Sequence, residues 1–244
     1  MTVARSHRAY VSRETPSPNG QRATGNLFFV PDSPELATAA AAWAGHPIDA
    51  ARRGRLEQFA AWLVGEAIPA GGLGPREAER VWGRHVADSL SFAVGWVTPP
   101  AEILDIGTGV GLPGIPLAIL WPQTAVTLLD RGGRRIRLLT RAAHVLGLDN
   151  VHVAQGDAFD VADEWKAMTF RGSVRAAEAV GLAARMLTLD GTAVLGLSRR
   201  QEPPDRTRDL VGIGTALGLA MAVSQVPAGI LDGPAWLLIM RAGE

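Results

Sequence analysis

The stretch Asp105-Ile106-Gly107-Thr108-Gly109-Val110-Gly111-Leu112-Pro113-Gly114-Ile115-Pro116 constrains the fold more than any other part of the sequence. It sets glycines at alternate positions between a short apolar run (Ile103, Leu104) and a helix-like apolar run (Ile115 to Trp121). Strand, glycine-rich turn, helix is the order in which open α/β sheets bind nucleotide-like ligands. Glycine lets such a turn close tightly and lets a ligand approach the backbone. A dinucleotide fingerprint needs its third glycine at the sixth place from Gly107. Leu112 stands there, and the third glycine comes one residue early, at Gly111. The D-x-G-x-G-x-G spacing instead suits S-adenosylmethionine, which has no pyrophosphate to cradle. Asp105, Gly107, Thr108, Gly109, Gly111 and Leu112 are therefore candidate cofactor-binding residues.

A second β-rich run, Ala125 to Asp130, ends in a carboxylate 19 positions after Gly111. A βαβ unit places there the group that accepts hydrogen bonds from a ribose diol. The alternative for Asp130 is a loop carboxylate capping the next helix. Set beside the glycine turn, ribose recognition is the better reading.

From Ala101 onward, β-like and helix-like runs alternate. The pattern predicts strands at 102–106, 125–130, 151–155, 171–176 and 192–197, and helices near 114–121, 132–147, 177–189 and 205–219. Two final β-like runs, 221–227 and 235–241, are joined only by a loop holding Pro227, Gly229, Gly233 and Pro234. They predict an antiparallel hairpin, since a parallel pair needs a longer crossover. The expected fold class is α/β: a Rossmann-like, class I S-adenosylmethionine-dependent methyltransferase with a seven-stranded, mostly parallel sheet and an N-terminal helical extension. A dinucleotide-binding fold would end on a parallel sixth strand. Upstream, helices are expected from Pro34 to about Ala44, from Asp49 to Glu66, and from Pro75 to about Val94. Residues 1–45 are expected to form a flexible extension, with 1–30 loosely attached, 46–97 a helical segment and 98–244 the catalytic domain.

Composition narrows the function classes. Hydrophobic residues at 47% are enough for a sizeable core. The sequence carries no run of 18 apolar residues and no signal-peptide pattern, so a cytoplasmic protein without a membrane span is expected. With no cysteine and five histidines, thiolate chemistry is excluded and no metal site is expected. Formal net charge is zero, and Lys166 is the only lysine. Arginine's planar donor fork suits phosphate, although genome composition is the better explanation of the bias.

Asp105 to Ala118 resembles the signature of the RsmG (GidB) family, and the Leu112-Pro113-Gly114-Ile115-Pro116-Leu117 continuation makes the likeness specific. Gly83 to Leu90 resembles the family's R-H-x-x-D-S-L helix. Leu128 to Asp130 with Gly133 to Leu139 resembles its L-x-D-x-x-x-K-R-x-x-F-L segment. The resemblance covers about residues 50–198. It implies methylation of N7 of one guanosine in 16S (small-subunit) ribosomal RNA, with S-adenosyl-L-methionine as cofactor and that RNA, or the small subunit, as partner of a monomer. It also implies that Ala158 and Phe159 lie where the family's backbone contacts adenine, with Asp157 beside them. Arg175 matches the arginine of its R-A motif after strand four, implying a catalytic, cofactor-adjacent place. The sequence departs from the family at Arg171, near the usual place of an acidic residue. It departs again at Gly196-Leu197-Ser198-Arg199-Arg200, where a lysine is usual, and at Arg134.

Guanine N7 is already a nucleophile, so attack on a sulfonium methyl needs positioning and no general base. Donors for the redistributing charge, contacting O6, are the further expectation, and an arginine such as Arg175 fits that purine edge. Arg84, His85, Arg134 and Arg135 are the candidate RNA-binding residues. For the first two, a local pair of His85 with Asp88 on one helix face is the alternative. For the arginines after Asp130, it is a solvated charged face. Trp82, Trp96 and Trp121 are expected in the core. The competing functions are a small-molecule methyltransferase, an inactive rRNA-binding paralogue and, more remotely, a dehydrogenase.

Overall fold

A computed structural model describes residues 32–197 and 206–243. The expectations for residues 1–30 and for Ser198, Arg199 and Arg200 lie outside the described residues.

Seven strands form one sheet: β1 (Glu102–Ile106), β2 (Ala125–Asp130), β3 (Val151–Gln155), β4 (Trp165–Arg171), β5 (Leu187–Gly196), β6 (Leu219–Val226) and β7 (Ala235–Ala242). Their order is β3-β2-β1-β4-β5-β7-β6. Strands β3 to β5 with β1 and β2 are parallel, and β7 runs antiparallel to both β5 and β6. This is the class I methyltransferase sheet with its closing hairpin.

Successive side chains of a strand point to opposite faces, and both faces are covered here. Ile103, Val126, Leu128 and Ala167 join one buried layer. It is completed by α1 (Pro34–Trp43), α2 (Ala50–Trp62), α3 (Ala87–Ser91), α4 (Gly114–Leu120) and α5 (Gly133–Val145). Leu104, Ile106, Met168 and Phe170 join the other, with α6 (Ala176–Met186) and α7 (Thr207–Ala216). Each such fully buried Leu, Ile, Met or Phe contributes about 1.5–3 kcal/mol relative to exposure. The boundary expected at residue 45 falls just after α1, whose Leu36, Ala37, Ala40 and Ala41 are buried. Helix α2 starts where Asp49 Oδ1 accepts from Arg52 N at 2.8 Å, satisfying one orphan donor of the first turn. Trp96 and Trp121 are core residues in edge contact, ring centres 5.9 Å apart, and Trp82 is half-buried against the same layer.

One strand is displaced from its expected place. β4 spans 165–171, not 171–176, because Gly172, at φ +65°, already leaves the sheet. Ala167, Met168, Thr169 and Phe170 are all buried. A strand covered on both faces lacks the alternation that identifies half-buried strands. The strand-end arginine is therefore Arg171, and Arg175 lies at the start of α6.

Between α2 and β1 the chain is irregular but packed. A π turn (Leu63–Ala67), a 3-10 turn (Pro75–Arg80) and a second π turn (Val81–Val86) lead into α3. The second π turn carries Arg84 and His85 and is anchored by Asp32, whose carboxylate accepts from Trp82 N (3.0 Å) and Gly83 N (2.6 Å).

Candidate functional site

Strand order reverses between β1 and β4, and open α/β sheets bind ligands beyond the carboxyl ends of such a pair. Two cavities open there, of about 800 and 940 Å3. Arg171 and Gly172 line both, so they form the partition between them.

The smaller cavity is the one expected from the glycine turn. Gly107, Gly109, Asp130, Asp157, Ala158 and Phe159 line it. Gly107 has φ +63°, and a Cβ there would lie 2.3 Å from Ser173 Cβ. Gly109 has φ +65°, and a Cβ there would meet nothing within 4 Å. Asp130, 2% exposed, ends β2 with its Oδ2 accepting from Gly109 N (3.1 Å) and its Oδ1 from Gly132 N (2.8 Å). Arg135 Nη1 also reaches Oδ2, at 3.4 Å, so of a carboxylate's roughly four lone-pair sites about one remains for a further donor. Asp157 Oδ1 accepts from Phe159 N at 3.0 Å, and Arg185 pins the same loop through the carbonyls of Ala158 and Val161.

Asp105, Thr108, Gly111 and Leu112 are not in the cavity wall. Asp105 is fully buried behind the glycine turn and accepts from Thr108 Oγ1 (2.5 Å), Gly114 N (2.8 Å) and Thr169 Oγ1 (2.9 Å). It ties the turn, the start of α4 and β4 together. Burial pushes its carboxyl up to about 6, against the pull of those three hydrogen bonds. Thr108 and Leu112 are 2% and 4% exposed, which makes them supports of the turn.

Arg175 lines the cavity rim, but its side chain is 86% exposed and pairs with Glu178, whose other oxygen accepts from Arg175 N at 3.1 Å. It caps α6. Arg171 is the arginine that faces both cavities. Its Nε donates to Asp88 Oδ2 at 2.8 Å and its Nη2 to the Arg84 carbonyl at 2.8 Å, the two side chains being 17% and 10% exposed. The expected His85–Asp88 pair is thus absent, because Asp88 faces the sheet and holds Arg171.

Arg84, His85, Glu77, Asp88, Arg80 and Asp232 line the larger cavity. His85 Nε2 is 2.9 Å from Glu77 Oε2. Burial, with the Arg171 guanidinium adding to it, pushes the imidazole down to about 4 in spite of Glu77. Near neutral pH the ring is uncharged, and Nε2–H donates to the Glu77 carboxylate. Its Nδ1 is buried and has no hydrogen-bond partner among the described residues. Arg80 donates to Asp232 Oδ2 through Nε (3.0 Å) and Nη2 (2.8 Å).

The arginines after Asp130 divide. Arg134 donates to the Ala70 carbonyl, and Arg141 pairs with Glu66, so both clamp α5 to the segment after α2. Arg135 lies in the smaller cavity with Nη1 3.4 Å from Asp130 Oδ2. The sequence reading missed Ser173 and Glu77, and marked Arg171 only as a departure from the family pattern. None sits in a motif with fixed spacing to the glycine turn, and only Ser173, in the Gly172-Ser173 bend, carried a local signal.

The smaller cavity fits S-adenosylmethionine on three observations. Ser173 Oγ is buried in its wall and has no hydrogen-bond partner among the described residues. The bare Gly109 leaves open space that a side chain would fill, and Gly107 lets Ser173 pack directly against the turn. Asp130 keeps an acceptor site where a ribose would present its diol.

The comparisons agree with the geometry. The family model described as rRNA small subunit methyltransferase G (GidB) matches residues 53–202. The ribosomal RNA small subunit methyltransferase G of Mycobacterium marinum is 33% identical over 207 residues, 77% of this chain and 83% of that protein. Those of Frankia casuarinae and Mycolicibacterium smegmatis are 36% and 43% identical over 132 residues, 54% of this chain in each case. Those matches span 48% and 52% of the two relatives, about half their length. Among solved structures, the cyclase SpnF superposes with a TM-score of 0.54 at 14% identity, over 82% of this chain and 98% of that one. The YcgJ protein of Bacillus subtilis superposes with a TM-score of 0.50 at 17% identity, over 64% and 98%. At such identities the likeness is one of fold.

Proposed function

The chain belongs to the rRNA small subunit methyltransferase G family, and from that premise we propose that it transfers the methyl group of S-adenosylmethionine to N7 of a guanosine in 16S ribosomal RNA. It acts in this reading as a cytoplasmic monomer on the small subunit. Among the described residues, no helix is long and apolar enough to cross a membrane. The observation that carries the reading is the pair of cavities meeting at Arg171 and Gly172: one suits the cofactor, the other a polar substrate.

When bound, S-adenosylmethionine supplies an electrophilic methyl on a sulfonium. Guanine N7 has an in-plane lone pair and no proton, so the chain needs no general base. Its work is to hold N7 in line with the methyl, and such orientation is worth several kcal/mol, up to roughly 7–11. Asp130 and the Ser173 hydroxyl bind and orient the nucleoside half of the cofactor. Arg171, fixed by Asp88 and the Arg84 carbonyl, sets the partition across which the two ligands meet. The methyl brings positive charge to the purine, so the stabilising groups are acceptors facing the base. This reverses the expectation of donors to O6 and turns attention to the carboxylates of the larger cavity.

The small-molecule alternative calls for an apolar substrate space, whereas this one sets three arginines and three carboxylates beside apolar residues such as Leu73, Phe92 and Trp236. An inactive RNA-binding paralogue differs only in turnover. The deciding experiment incubates the protein with labelled cofactor and small subunits lacking the modification, then maps N7-methylguanosine by nucleoside mass spectrometry. A single stoichiometric site is expected. Cofactor binding with no transfer would leave the inactive paralogue in possession of the field.

Asp130→Asn is expected to weaken S-adenosylmethionine binding roughly 10–100-fold, since hydrogen bonds to a charged group contribute about 1.5–3 kcal/mol. Calorimetric titration reads this directly, and an unchanged affinity would mean that the ribose lies elsewhere.

A further inference from the structure

Three carboxylates line the larger cavity, and two already hold arginines: Asp88 holds Arg171, and Asp232 holds Arg80. Glu77 differs. Its partner is the neutral His85 ring, which uses only Oε2, and Oε1 forms no hydrogen bond among the described residues. Its side chain is 29% exposed while that of His85 is 6% exposed. The ring is therefore a buried strut that holds an accessible carboxylate at the cavity wall.

We propose that Glu77 reads the Watson–Crick edge of the target guanine, its carboxylate accepting from N1–H and the exocyclic N2 amino group, with His85 as its positioning residue. The inference rests on the guanine methyltransferase reading above. Guanine offers adjacent donors at N1 and N2, and a carboxylate matches them with two acceptors; adenine offers no such pair. The same contact leaves N7, on the far side of the ring system, turned away from Glu77. Arg171 and Gly172, which part this cavity from the cofactor cavity, line the same space as Glu77. Chemistry adds a second reason. As N7 gains the methyl, the S–CH3 bond breaks with its electron pair left on sulfur, and the purine becomes cationic. N1–H then becomes more acidic, and a carboxylate accepting from it binds more tightly in the transition state than in the ground state. An interaction that strengthens in that way accelerates the step.

The test uses Glu77→Gln, which retains an acceptor for His85 Nε2–H but presents an amide to the base. The protein and the variant, both saturated with S-adenosylhomocysteine, are titrated with guanosine, inosine and adenosine 5′-monophosphates; inosine lacks the N2 amino group. Transfer to unmodified small subunits is measured in parallel. The unchanged protein is expected to prefer the guanosine nucleotide over the other two by roughly 10–100-fold, the usual worth of a bidentate base contact. Glu77→Gln is expected to lose that preference and to transfer more slowly by a similar factor, with S-adenosylhomocysteine affinity unchanged as the mark of an intact fold. Equal affinities in the unchanged protein, or a preference that survives in Glu77→Gln, overturns the proposal. A Glu77-dependent guanine preference without transfer sinks the methyltransferase reading and keeps the pocket. Transfer that ignores Glu77 does the reverse.

Discussion

Replacing Asp105 with alanine is expected to destabilise the protein by about 3–5 kcal/mol, the range for breaking a buried charged network. Three donors, from Thr108, Gly114 and Thr169, would lose their acceptor in a site without water contact. Asparagine is a gentler change. Its oxygen can still accept from Thr108 and Gly114, and its amide can donate to the Thr169 hydroxyl. The difference between Asp105 and asparagine should depend on pH with a definite sign. The folded-state pKa is raised from 3.8 to about 6. A raised value means that the carboxyl's contribution is complete below the unfolded pKa and is lost as pH rises through the folded one. About two units correspond to about 3 kcal/mol. Asp105→Asn should therefore gain about 3 kcal/mol relative to the unchanged protein between pH 3.8 and 7. Urea unfolding at pH 4.5 and 7.5 measures most of that span. A stability difference identical at both pH values would show that Asp105 is not held neutral by burial.

How much of this was legible in the sequence follows the range of the interactions. The glycine turn, β1, β2 and the closing hairpin were readable because their signals are local: alternate glycines, β-rich runs, a loop too short for a crossover. Asp130 was placed correctly at the end of β2 for the same reason. Asp105 looked like part of the ligand site because motif spacing says nothing about which face of the turn a side chain takes; its partner Thr169 is 64 residues away. β4 was missed because a doubly covered central strand has no polar face to break its pattern. The partners of His85 and Asp88 were misassigned because helical spacing was assumed, whereas the chain there passes through a 3-10 turn and a π turn. That junction brings Glu77, eight residues back, to His85 and leaves Asp88 to meet Arg171, 83 residues on. Arg134 read as a cation for phosphate, yet its guanidinium closes on the carbonyl of Ala70.

Arg171 tests whether the partition matters to the reaction or only to the fold, and two substitutions are needed to separate these. Arg171→Met removes the cation from the nearly buried Asp88, and breaking such a pair costs about 3–5 kcal/mol. A loss of activity there would prove little. Arg171→Lys keeps the charge but cannot serve Asp88 and the Arg84 carbonyl with one planar fork, since an ammonium is a point charge on a flexible stem. Most of the stability should survive, while the wall between the cavities loses its fixed shape. Misplacement of reacting groups by about 1 Å can cost about 100-fold in rate. Arg171→Lys is accordingly expected to lower kcat for methyl transfer roughly 100-fold, with cofactor affinity held within about threefold, since no hydrogen bond among the described residues joins Arg171 to Asp130, the proposed ribose acceptor, or to the loop at Asp157 to Phe159. Single-turnover transfer to unmodified small subunits, paired with calorimetric cofactor titration, gives both numbers. Equal losses in rate and cofactor affinity would make Arg171 a wall of the cofactor site alone. A rate close to that of the unchanged protein would remove the partition from the mechanism and leave the Asp88–Arg171 pair as a weld between α3 and β4.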